Sequence, residues 1–121
     1  MSKFEDLEVW QSAMRLAVSI YDRFDSIRDF SFRDQVCRSA VSIPSNIAEG
    51  SERGSNKDFV RFLRIALGSA AELRTQLYLV ERLHKCEHSV CTSLLEQSRT
   101  ISAQLNRLIK YLIAHERTLE Q

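Results

Sequence analysis

The sequence predicts an all-α protein, an antiparallel up-down-up-down four-helix bundle, and three observations lead there. The 121 residues include one proline and three glycines, too little turn punctuation for a many-stranded protein. Apolar residues recur at three- and four-residue steps along four long segments, the signature of amphipathic helices. The joints between these segments are short and polar, so consecutive helices must lie side by side. With 44% hydrophobic content the chain is long enough for one core and short for two, so residues 1–121 read as a single domain.

The first helix is expected over about Asp6 to Phe24, with Trp10, Ala13, Ala17, Ile20, Tyr21 and Phe24 on one apolar face. "DSIRDFS" is a connector. Ser31, with Asp34 three residues on, resembles a capping box with Asp in place of Glu and predicts the start of the second helix. Val36, Ala40, Ile43 and Ile47 form its core face. This helix is expected to run through a kink at Pro44 to roughly Arg53, because proline removes one backbone donor without forbidding the helix that follows. Gly54 is the natural residue to end it, whereas Gly50 has no evident role.

Ser55 and Asp58 repeat the cap arrangement and predict a third helix from near Asn56 to about Leu83. Its inner stripe is Phe59, Phe62, Leu63, Ala66, Ala70, Leu73, Leu77 and Val80. After the "HKCEHS" turn, Leu94, Ile101, Leu105, Leu108 and Leu112 keep a near-heptad spacing through a fourth helix. The polar end, "HERTLEQ", is expected to fray.

A net charge of +1 provides no global field for nucleic acid or an anionic membrane, so any such binding needs a local patch. The N-terminal "MSKFEDLEVWQ" lacks the basic start and apolar run of a secretion signal, and no apolar stretch approaches bilayer length. The expected setting is the cytoplasm, away from membranes. Three unevenly spaced cysteines fit a reducing compartment better than a disulfide framework. His84, Cys86, His88 and Cys91 gather four ligand-type side chains, but at a spacing that matches no common structural zinc pattern. They read as an interhelical turn, with no metal and no cofactor.

Helical projection exposes more apolar surface than a monomer needs. Cys37, Val41, Pro44 and Ala48 form a second stripe beside the core face of the second helix. Val60, Leu67, Ala71 and Tyr78 do the same on the third. These eight residues are candidates for an interface between copies of the chain.

A polar stripe on the second helix joins Arg38, Ser42, Asn46, Glu49 and Arg53 at helical steps. Ser and Asn are poor interior helix formers, so their presence favours hydrogen bonding to a fixed partner over simple solvation. On the third helix Gly68, Ser69 and Glu72 make a locally thin surface, and a mid-helix glycine points to close approach by a neighbour. Arg53, Lys57, Arg61 and Arg64 form a modest basic patch, the candidate surface for RNA or DNA. The two carboxylates Glu49 and Glu72, with Asn46, outline a remote small-molecule site. Without the Glu-x-x-His motif of di-iron bundles, or any nucleophile and base pair, neither an enzyme nor a small-molecule substrate is expected.

The stretches "DLEVWQ", "SIPSNIAEGSER" and "FVRFLRIALGSAAEL" resemble the four-helix bundle proteins encoded in intervening sequences of bacterial 23S ribosomal RNA genes. The likeness runs from Phe4 to about Leu83. It implies a left-handed antiparallel bundle that assembles as a ring-like homopentamer, without established catalysis and with nucleic-acid binding as the usual conjecture. A more distant likeness is to the pentameric accessory protein of diversity-generating retroelements, whose basic character is absent here. The family's signature residues fall on Arg38, Ser42, Pro44, Asn46, Glu49, Gly50, Arg53, Phe59, Gly68, Ser69 and Glu72.

Overall fold

The computed structural model describes residues 3–119, with side chains described as far as residue 115. A short 3-10 turn at Phe4–Asp6 leads into α1, Glu8–Phe24. The turn is held by Phe4 packing edge-on against Trp10, ring centroids 5.4 Å apart, and by the Gln11 amide donating to the Glu5 carbonyl at 2.9 Å. Val9, Ala13, Leu16, Ala17, Ile20 and Phe24 point inward from α1. Tyr21, expected on that face, is instead 55% exposed. It lies about 100° around the helix from Ile20, beyond the edge of the buried arc.

The second helix, α2, spans Phe30–Ser51 and begins earlier than Ser31. Asp29 is its cap, its carboxylate accepting the Phe32 N–H at 3.1 Å, and its carbonyl accepts the Arg33 N–H at 2.9 Å. Aspartate caps as well as serine does, and starting at Asp29 extends the helix while placing a negative charge at its positive end. The helix continues through Pro44. The expected core face, Val36, Ala40, Ile43 and Ile47, is fully buried. Gly54 follows in the left-handed region, φ 87°, where a side chain would be strained.

The third helix, α3, spans Asn56–Arg82 and is capped by Ser55, whose hydroxyl accepts the Asp58 N–H at 3.1 Å. All eight residues of its expected inner stripe are buried. α4 covers His88–Leu119, with Leu94, Ile101, Leu105 and Leu112 buried and Leu108 half-buried. Of "HERTLEQ", expected to fray, residues 115–119 continue α4, and residues 120 and 121 lie outside the described residues.

α2 packs on both α1 and α3, and α4 on both α3 and α1. The four helices thus share one hydrophobic cluster, with Phe24, Leu16, Ile20, Ile43, Ile47, Leu63 and Leu105 fully enclosed. Each such aliphatic or aromatic side chain stabilises the fold by roughly 1.5–3 kcal/mol relative to an exposed one. Polar ties supplement this packing: Arg74 on α3 donates to Ser98 and Ser102 of α4 at 3.1 and 2.8 Å, and Asn56 donates to the Leu112 carbonyl at 3.3 Å. Among the described residues there is no strand, and no helix is long and apolar enough to cross a membrane.

Candidate functional site

The polar stripe forms a seam between α2 and α3. The Ser42 and Ser69 hydroxyls share a hydrogen bond of 2.7 Å, and the Asn46 amide donates to both the Ser42 carbonyl and its hydroxyl at 2.8 and 3.0 Å. Ser39 donates to Glu72 at 2.6 Å and lies near the Gln35 carbonyl at 3.1 Å. Of the short side chains anticipated from helix propensity, Ser42 therefore bonds to the neighbouring helix of the same chain, while Asn46 bonds back to Ser42 on its own helix. Projection singled out Ser42, Asn46 and Ser69 but missed Ser39, which is almost fully buried. Its position between the core face and the stripe was the available signal, since a buried serine there must find a partner.

Glu49 and Glu72 do not form a carboxylate pair. Glu72 receives Ser39, whereas Glu49 faces outward and pairs with Arg53 one turn on, at 3.0 Å. Both carboxylates have separate partners, so Asn46, Glu49 and Glu72 do not converge on one ligand-sized space. Arg38 is exposed and, with Tyr21, Asp25, Arg33, Asp34 and Ser42, lines an open cleft of about 610 Å³. Cys37 lies at the same cleft, where burial pushes its thiol pKa up and the nearby Arg33 partly opposes the shift.

Gly50, unexplained by sequence, sits where α2 meets α3. A β-carbon there would come within 2.6 Å of the Phe62 Cβ and 3.0 Å of Phe59 Cδ1, so only glycine fits the approach. At Gly68 no such approach comes from within the chain. This glycine is exposed, and nothing in the chain lies within 4 Å of an added β-carbon, because its face of α3 points away from the other three helices.

The basic patch surrounds this junction. The Arg53 and Arg61 guanidinium carbons lie 4.9 and 4.6 Å from the Phe62 ring centroid, which holds both cations over one aromatic anchor. Arg61 also approaches Asp58 at 3.6 Å. Both ion pairs are half exposed, so each contributes little to stability. Lys57 and Arg64 are exposed as well, with no ion-pair partner among the described residues.

The candidate interface residues separate into two groups. Cys37, Pro44 and Val60 are buried within the chain itself and Ala48 and Leu67 are half-buried; α2 is packed on by α1 and the entry turn, and α3 packs between α2 and α4. Val41, Ala71 and Tyr78 face outward. Tyr78 accepts a hydrogen bond from Arg99 of α4. The outward set also includes residues that sequence projection did not select. Met14, Val18 and Tyr21 on α1 join Trp10, Val41, Pro44 and Ala48 around an apolar cleft of about 450 Å³. On α3, Ile65 and Leu79 are nearly half exposed and flank Gly68, Ala71 and Tyr78. Steps of four and three from Met14 to Val18 to Tyr21 are the sequence signal for this second face, which Tyr21 joins instead of the core face.

At the α3–α4 joint, His88 Nδ1 lies 3.0 Å from a Glu81 oxygen, and His84 adopts a left-handed φ of 56°. Among the described residues no three His, Cys, Asp or Glu side chains are placed to hold a metal ion. Burial pushes the Cys91 thiol up to about 12, reinforced by the adjacent Cys86 and by Glu81.

These features define an all-helical protein with a polar seam, a basic α2–α3 junction, one outward apolar cleft and several exposed apolar side chains on α3. The chain belongs to the 23S rRNA-intervening sequence protein family, whose model matches residues 5–107. Its structure is similar to the crystal structure of a protein of unknown function from the S23 ribosomal protein family of Bacteroides thetaiotaomicron. That likeness has a TM-score of 0.79 at 29% identity and covers 84% of this chain and 98% of the other. Among curated proteins none matches.

Proposed function

We propose that this protein is a non-enzymatic, cytoplasmic, homo-oligomeric scaffold or interaction module: a single left-handed antiparallel bundle that assembles as a ring-like pentamer. The order of contacts along α2 and α3 supports the antiparallel reading, since Ser39 meets Glu72, Ser42 meets Ser69, and Gly50 meets Phe62 and Phe59. The observation that carries the assembly is the outward apolar cleft between α1 and α2 around Met14, Val18, Tyr21 and Val41, together with the exposed apolar side chains Ile65, Ala71, Tyr78 and Leu79 on α3.

The occupant we assign to the cleft is α3 of a second copy. Among the described residues Asp22 is the one charged side chain lining the apolar cleft, and Arg61 and Arg64 lie beside the α3 face, so a cation of α3 can meet Asp22 where the apolar side chains join. Two different patches joined head to tail generate closed rings when the rotation closes. Replacing Val18 with Asp, in the cleft but outside the core, tests this reading: sedimentation velocity should show the parent as an oligomer and the variant dissociated. An unchanged sedimentation coefficient would remove the cleft from the interface.

A second reading is RNA or DNA binding by Arg53, Lys57, Arg61 and Arg64. Their common exposure around the α2–α3 junction supports it, and a ring would repeat the patch and add avidity. Affinity for a structured RNA should then fall steeply between low and physiological salt; no retention of RNA at low salt would end it.

A further inference from the structure

The α3–α4 joint holds two of the three cysteines, and the scaffold reading uses neither. The Cys91 N–H bonds the Glu87 carbonyl at 3.0 Å, which makes Glu87 the residue at the entry to α4. Cys86 is therefore the residue before the cap, and Cys91 the fourth residue of the helix. Side chains at these two positions pack against each other as a hydrophobic staple. Here both halves of the staple are thiols: Cys91 is fully enclosed in the core, and Cys86 is half-buried against the same cluster. The joint is further fixed by the Lys85 N–H bonding the Val80 carbonyl at 3.1 Å and by the left-handed residue His84. Cys37 lies on α2 beside a different cleft.

We propose that Cys86 and Cys91 are a redox-active dithiol, oxidised to an intramolecular disulfide by small-molecule disulfides. Cys86, the half-exposed member, meets the oxidant. Its thiolate attacks one sulfur of the small disulfide, whose S–S bond breaks and releases one thiol. Cys91 then gives up its proton and attacks the Cys86 sulfur, forming the internal S–S bond and expelling the second thiol. Two electrons pass from the cysteine pair to the small disulfide, and the two protons end on the two released thiols. Burial, together with the neighbouring Cys86 and Glu81, keeps Cys91 protonated, so Cys91 is the resolving residue and not the first nucleophile. Oxidation would convert a packing contact into a covalent clasp over the start of α4.

The test is intact-mass analysis of the full chain after reduction, removal of reductant and incubation with oxidised glutathione, quenched in acid. The parent is expected to lose the mass of two hydrogens, keep no glutathione and leave one free thiol. Cys91→Ser should stop as a single glutathione adduct, Cys86→Ser should stay unmodified, and Cys37→Ser should close as the parent does. Circular dichroism establishes that each variant is folded before exposure to oxidant. A parent that accumulates the same lasting adduct as Cys91→Ser overturns the proposal. So does a folded parent that remains unmodified while the urea-unfolded chain reacts.

Discussion

Gly50 and Gly68 both lie inside helices but answer to opposite constraints. At Gly50 the neighbouring Phe62 backbone-proximal carbon leaves no room for a methyl group, so Gly50→Ala must push α2 from α3. Overpacking of this kind costs about 1–3 kcal/mol, to be read as a lower urea midpoint. At Gly68 there is open space, and alanine there should instead stabilise the helix by up to about 1 kcal/mol. A destabilising Gly68→Ala measured on dissociated chains would mean that its helix face is more crowded than the chain alone makes it. Sequence could show that Gly50 was unusual but not why, because the cause is the approach of Phe59 and Phe62 from another helix.

For whole elements, the helix starts divide informatively. Ser55 capping α3 was legible because the hydroxyl, the following acid and the apolar run coincide at one place. The start of α2 was misplaced by two residues because Asp29 and Ser31 are both competent caps, and only the backbone path selects between them. Asp29→Ala should therefore cost about 1 kcal/mol and Ser55→Ala a similar amount, whereas Ser31→Ala should leave the thermal midpoint close to the parent's. A Ser31→Ala loss as large as that of Asp29→Ala would restore the later start. Core faces were the most legible part of all, since Val36, Ala40, Ile43 and Ile47 recur with the helical period. The inter-helix seam was half legible: Ser42 and Ser69 stood out as misfit helix residues, but the Ser39–Glu72 bond depends on how two helices align, which no single-helix periodicity contains.

Across the whole molecule, the same projection overstated one surface and missed another. Cys37, Pro44 and Val60 looked available on isolated helices, yet packing of the four helices encloses them. Met14, Val18 and Tyr21 lie beyond the core face of α1, and the structure brings them beside Val41 into one outward cleft. The apolar excess is differently placed, around the α1–α2 cleft, and the proposed occupant of that cleft is α3 of a second copy. Burying both surfaces at once requires more than one chain. The most direct measurement is the native mass of the purified protein at micromolar concentration, by light scattering coupled to size exclusion. The assembly described here predicts a closed oligomer of five chains of 14.0 kDa each, and a monomer at that concentration would contradict it.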